Sequence, residues 1–347
     1  MKKIVLMLIA ALLLLSACEI SKPHLPSWDV DLTVPLINEH YFVSDLADSI
    51  NLFVGEDNVL TLIGTGEAES QEFGDVSFNP AAFIDPIYSP ANAMKRAMQI
   101  IDKFYSELET YKDDIMLCCN YSDIENAVSQ GKIAAMLSIE GGEALQGDLG
   151  ALRNFYRLGV RSICLTWNYR NEIADGVKDE ESGGGLTPFG RKLIKEMNSL
   201  GMLVDVSHIS QKGFWDVIET SSKPIIVSHS NARKICSHPR NLYDDQILAV
   251  VKNGGVIGIN FYPDFLSDDG KATVKDITKH IEHIVSIAGP DHIGIGADFD
   301  GIEKTPDGID GIENIDTVFE ELAKLNYSDE VIGKFASGNF LRLIKNT

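Results

Sequence analysis

The chain has 347 residues, of which 44 % are apolar and 23 % charged, an ordinary globular composition that is neither disordered nor fibrous. Its 51 Asp and Glu outweigh 30 Lys and Arg, for a net charge of −21, which argues against a nucleic-acid partner because the phosphates would be repelled. The length suits one large domain or two of modest size.

Met1-Lys2-Lys3 is a basic start, followed by an apolar run from Ile4 to Leu15 and then Ser16-Ala17-Cys18. That run is too short to span a bilayer, which takes about 20 residues. A positive start, a short apolar stretch and small residues before the cut describe an export signal over 1–18. Leu15-Ser16-Ala17-Cys18 also resembles the bacterial lipobox. The resemblance implies that Cys18 becomes the lipidated first residue of a lipoprotein in the bacterial cell envelope, held to the membrane by acyl chains. Of the other cysteines, Cys118, Cys119 and Cys164 sit in apolar runs, and none has metal or redox CxxC spacing, so buried free thiols are expected.

From Glu19 to Met94 there are thirteen acids and a single base, Lys22, whereas residues 95–347 hold 38 acids against 27 bases. Pro80, Pro86 and Pro90 punctuate the change. Residues 19–86 are therefore expected to be a separate acidic segment, small and β-type or poorly ordered. Residues 87–347 form the second piece.

The second piece alternates. Helical patterns fall at about 91–110, 121–129, 144–157, 187–200, 211–220, 243–252, 274–288, 313–325 and 328–345. Between them lie short apolar runs rich in β-branched residues: Ile133–Ile139, Val160–Thr166, Met202–Val206, Pro224–Val227, Val256–Asn260 and His292–Ala297, with Ile115–Cys119 a seventh. Strands apolar on both faces and separated by helices predict an α/β fold with a helix-covered parallel sheet. Six or seven such units predict a (β/α)8 TIM-type barrel over an open sheet.

Barrel active sites are built where strands end and loops begin. The strand ends here carry Glu140, His208, His229 and Asp298, a set of residue types that can hold a metal. Singly each has a plain alternative: a satisfied polar histidine, a helix-capping carboxylate, a turn aspartate. Together they predict a metal site. His280 and His283 lie three apart on a predicted helix beside Glu282 and read as a solvated face.

Several motifs then resemble one family. They are Ser138-Ile139-Glu140-Gly141-Gly142, Leu186-Thr187-Pro188-Phe189-Gly190, Gly201–His208, Ser228-His229-Ser230-Asn231-Ala232-Arg233, His238-Pro239-Arg240-Asn241-Leu242, Gly294–Gly301 and Gly338-Asn339-Phe340. From about residue 87 onward the chain resembles the membrane (renal-type) dipeptidases, peptidase family M19 of the amidohydrolase superfamily. The resemblance implies a zinc-dependent dipeptidase that hydrolyses short unblocked peptides through a metal-bound hydroxide. It implies two zinc ions bridged by Glu140, with His208 and His229 completing one site. Asp298 would bind the other zinc and handle the proton of the attacking water. Arg233 would grip the substrate carboxylate, a task suited to a planar two-donor fork. Trp167 and Asn168 would contact substrate; the mammalian enzymes carry a histidine where Trp167 stands. A homodimer is the common family assembly.

The family's first strand ends in His-x-Asp, and this chain contains no His-x-Asp. The expected barrel therefore lacks its first strand and two ligands. One well-formed zinc site remains, because Glu140 and Asp298 alone are too few to hold a second ion tightly. Two functions stay open: a zinc dipeptidase, or a catalytically inactive lipoprotein that keeps the barrel as a binding or scaffold module.

Overall fold

The computed structural model describes residues 81–83, 91–311 and 314–347. The expected signal, Cys18 and the segment 19–80 lie outside the described residues. Among the described residues no helix is long and apolar enough to cross a membrane.

Among the described residues there are two parallel sheets. The smaller pairs β2 (Ile115–Leu117) with β3 (Ile133–Ala135). The larger runs β1 (Ala81–Phe83), β4 (Leu137–Glu140), β5 (Val160–Cys164), β6 (Leu203–Asp205), β7 (Ile226–Ser230), β8 (Val256–Ile259) and β9 (Ile293–Ile295), each beside the next. Every pairing is parallel. Val160, Ile163, Val204, Ile226, Val227, Ile257 and Ile293 are fully buried, as β-branched residues in a sheet covered on both faces should be. This is the barrel-type α/β architecture expected, with seven strands in its main sheet among the described residues.

Helices occupy the connections. They are α1 (Ala93–Thr110), α2 (Tyr121–Ser129), α3 (Leu149–Arg157), α4 (Pro188–Leu200), α5 (Gln211–Thr220), α6 (Asp244–Asn253), the short α7 (Pro263–Leu266) and α8 (Val274–Ala288). Three more close the chain: α9 (Asp316–Lys324), α10 (Asp329–Gly333) and α11 (Asn339–Lys345). Local chemistry sets their ends. Thr187 caps α4 by accepting from the Gly190 N–H, Pro188 takes the first turn, and Gly201 ends it at φ 70°. Ser210 caps α5 through the Gly213 N–H in the same way. α1 buries Ala93, Ala97, Ile101 and Phe104, one stripe at helical spacing.

Four expectations need correction. The sheet begins at Ala81, ahead of the boundary expected near 87, because β1 pairs with β4 from Ala81↔Ser138 to Phe83↔Glu140. The run Ile133–Ile139 is two strands that part at Met136, one facing each sheet. Ile115–Leu117 pairs only in the small sheet and adds nothing to the main one. The helix expected over 328–345 is broken by a π-helical turn at Lys334–Gly338. Beyond it the Asn339 amide donates to the Pro290 and Ile293 carbonyls, tying α11 to the foot of β9.

The register places the site. Glu140 stands opposite Cys164 and Cys164 opposite Asp205, so β4, β5 and β6 end in step, while Asp205 pairs with Ile226 at the start of β7, which runs on past His229. On the far side, a Cβ on Gly258 or Gly296 would stand 2.0 or 1.9 Å from the Ser228 carbonyl oxygen. Only glycine allows β7, β8 and β9 to close this tightly beneath the histidine that follows Ser228. Cys118, Cys119, Cys164 and Cys236 are free, as expected.

Candidate metal centre

Glu140 is the last residue of β4, His229 lies within β7, and His208 follows β6 by three positions. His208 takes a left-handed backbone, φ 66°, which is uncommon for any residue but glycine. Their donor atoms converge. His208 Nε2 is 3.0 Å and His229 Nε2 3.7 Å from Glu140 Oε1, and the two Nε2 atoms are 2.7 Å apart. All three side chains are buried.

Burial first, then the Asp298 and Asp205 carboxylates, push the Glu140 carboxyl well above its ordinary range. Burial holds both histidines well below theirs, with the Arg240 guanidinium adding in the same direction. Both imidazoles are therefore neutral, the form a metal requires.

Their outer partners decide which nitrogen carries the proton. His208 Nδ1 is 2.9 Å from Asn168 Oδ1, an acceptor, so Nδ1 donates and Nε2 keeps its lone pair. His229 Nδ1 is 2.8 Å from Ser228 Oγ, whose hydroxyl already donates to Asp205 Oδ2 at 2.5 Å. Ser228 must then accept from His229, which again leaves Nε2 bare. Two lone pairs 2.7 Å apart beside the Glu140 carboxyl group form a cluster of donor atoms suited to a cation. Two histidines and one carboxylate are a donor set that can hold a metal ion.

Asp298 follows β9, also left-handed at φ 66°, and is buried. One of its oxygens accepts from the Asn260 amide at 2.9 Å, leaving a fixed carboxylate whose charge acts on Glu140. Trp167 lies over His208 with ring centroids 6.1 Å apart. Asn168, expected at the substrate, is the orienting partner of His208.

Arg233, expected as the carboxylate grip, and Arg240 leave the same turn in different directions. Arg233 is half-buried and stacks on exposed Tyr243 at 4.5 Å. The turn from 231 to 242 closes on itself through Leu242 N–H to Asn231 O and Arg233 N–H to Leu242 O. Its return limb carries Arg240 inward, where its guanidinium is buried, donates to the His229 carbonyl at 3.2 Å and leaves Nε without a hydrogen bond. The charges of Asp298, Glu140 and Asp205 all bear on it. His238-Pro239-Arg240-Asn241-Leu242 was visible in the sequence; which of two nearby arginines turns inward depends on the turn.

His280 is also corrected: it is fully buried, not solvated. Its Nδ1 accepts the Ala232 N–H at 3.0 Å and its Nε2 donates to the Leu266 carbonyl at 3.1 Å, which fastens the turn bearing Arg240. Burial lowers its pKa to about 4. The neutral ring thus favours the folded state above the unfolded value of about 6.5, and that contribution, about 3 kcal/mol, is lost as pH falls from 6.5 towards 4. Urea titrations of the wild type and His280→Asn should show a stability gap that narrows over that window. A gap independent of pH would refute the assignment.

A family model described as membrane dipeptidase (peptidase family M19) matches residues 68–347. The chain belongs to the membrane dipeptidase family. The match takes in β1 and extends into the acidic stretch before residue 87. Among curated proteins, an "uncharacterized protein in pqqA 5'region" of Klebsiella pneumoniae is 37 % identical over 241 residues, 67 % of this chain and 89 % of that one. A metallo peptidase from Rhodobacter sphaeroides, solved with a phosphinate mimic of the dipeptide L-Ala-D-Ala, is 28 % identical. The match covers 76 % of this chain and 77 % of that one, with a TM-score of 0.71. The M19 metallo peptidase "dipeptidase AC" is 26 % identical, covering 77 % and 84 % of the two chains, with a TM-score of 0.73. As a membrane dipeptidase chain, this protein gathers Glu140, His208 and His229 into one three-donor group among its described residues.

Proposed function

We propose that this chain is a zinc dipeptidase that hydrolyses unblocked dipeptides at Glu140, His208 and His229. The observation that carries the reading is the pair of bare Nε2 atoms facing the Glu140 carboxylate. Zinc held there would lower the pKa of a water to about 7 and polarise the scissile carbonyl. Asp298, held by Asn260 and near enough for its charge to act on Glu140, would take the proton of the attacking water and return it to the leaving amine. Arg240 offers a buried, incompletely bonded guanidinium to the substrate's free carboxylate. Trp167 would cover the substrate from the His208 side. Family membership and the dipeptide mimic bound by the Rhodobacter relative support the substrate class. Acylation at Cys18 would tether the enzyme to the envelope membrane.

The absence of His-x-Asp favours a second reading, in which the centre binds metal and peptide without turnover. Zinc-loaded full-length protein assayed with Ala-Ala, N-acetyl-Ala-Ala and Ala-Ala-amide separates the two. The dipeptidase reading expects cleavage of Ala-Ala alone, abolished by a chelator and restored by zinc. Tight zinc binding with no cleavage would establish the second reading.

A further inference from the structure

Behind His229 the Ser228 contact continues into a buried hydrogen-bond network that ends on Asp205, a residue that the hydrolytic chemistry above does not use. Asp205 Oδ1 accepts the Ser207 and Ser228 backbone N–H groups at 3.0 and 3.1 Å. That leaves Oδ2 for the Ser228 hydroxyl, at 2.5 Å, and Ser228 Oγ for His229 Nδ1, at 2.8 Å. Ser207 Oγ closes the group, accepting the His229 N–H at 3.2 Å and lying 3.0 Å from Ser228 Oγ. Every member is buried, so water cannot substitute for a missing partner.

We infer that Asp205, acting through Ser228, is a positioning residue that locks His229 in its Nδ1–H tautomer and so keeps Nε2 available to metal. The inference rests on the metal reading of Glu140, His208 and His229. The donor directions run one way: a carboxylate can only accept, so the Ser228 hydrogen points to Asp205 and the His229 hydrogen points to Ser228. Asp205→Asn reverses the line without changing its shape. The asparagine oxygen stays with the two backbone donors, and its amide then donates to Ser228 Oγ. The Ser228 hydrogen turns to His229 Nδ1, and the imidazole proton moves to Nε2, where it blocks the metal.

Metal-free full-length protein labelled with ¹⁵N-histidine reports the tautomer by NMR, and chelator competition reports zinc affinity. The wild type should show His229 as Nδ1–H, and Asp205→Asn should show Nε2–H with zinc bound about 10- to 100-fold more weakly. Ser228→Ala should weaken zinc by a similar factor and Ser228→Thr should restore it, which decides the matter if Asp205→Asn does not fold. Asp205→Asn that keeps Nδ1–H and binds zinc within twofold of wild type would overturn the inference. So would an Nε2–H tautomer in a zinc-binding wild type. A wild type with Nδ1–H and no zinc affinity would overturn the metal reading instead, leaving the tautomer lock in place.

Discussion

His229→Ala is expected to abolish both high-affinity zinc binding and dipeptide hydrolysis while leaving the chain folded. A structural zinc site binds with about 10–16 kcal/mol from four ligands, roughly 3–4 kcal/mol each, so one lost ligand costs about 10²- to 10³-fold in affinity. His229 is one of three donors gathered among the described residues and has no exposed surface through which water could take its place. His208→Ala should match it, since its Nε2 is the nitrogen nearer to Glu140. Metal analysis after dialysis against a weak chelator, alongside circular dichroism, checks the prediction. A folded His229→Ala protein with wild-type zinc content would remove this residue from the site.

Arg240→Met should lower kcat/KM for Ala-Ala by about 30- to 5,000-fold, the equivalent of 2–5 kcal/mol for a buried charged partner of a carboxylate. The loss should fall mainly on KM, and the preference for a free carboxylate over an amide should disappear with it. Zinc should stay bound, because Arg240 reaches the ligands only through the His229 carbonyl and through charge. Arg240→Lys should recover only part of the activity, since an ammonium lacks the fork that fits a carboxylate. Arg233→Ala, by contrast, removes a half-buried side chain stacked on exposed Tyr243 and should change kcat/KM by less than threefold. If Arg233→Ala raises KM and Arg240→Met does not, the placement of the carboxylate grip is reversed.

Much of this site was legible because strand ends are read by position. Glu140, His208, His229 and Asp298 each follow a β-branched run, and the parallel register brings such ends together whatever the intervening loops do. Helix limits were legible where caps are local, as at Thr187 with Pro188 and at Ser210. Long-range geometry was not. The sequence around 231–242 contains two arginines, and only the closed turn fastened by His280 shows that Arg240 enters and Arg233 leaves. His280 itself lies at a spacing shared by exposed and buried helix faces, and its burial depends on Ala232 and Leu266, distant in sequence. β1 is three residues of Ala-Ala-Phe between prolines, too short for any periodicity, and it is defined by its partner β4.

Glu140, His208 and His229 are proposed to hold a catalytic metal. Anomalous diffraction at the zinc edge from zinc-soaked crystals tests it most directly. One strong peak is expected within bonding distance, about 2.0–2.2 Å, of His208 Nε2, His229 Nε2 and a Glu140 carboxylate oxygen. A fully loaded crystal whose peak lies elsewhere, with these three side chains in contact with one another and no ion between them, would contradict it.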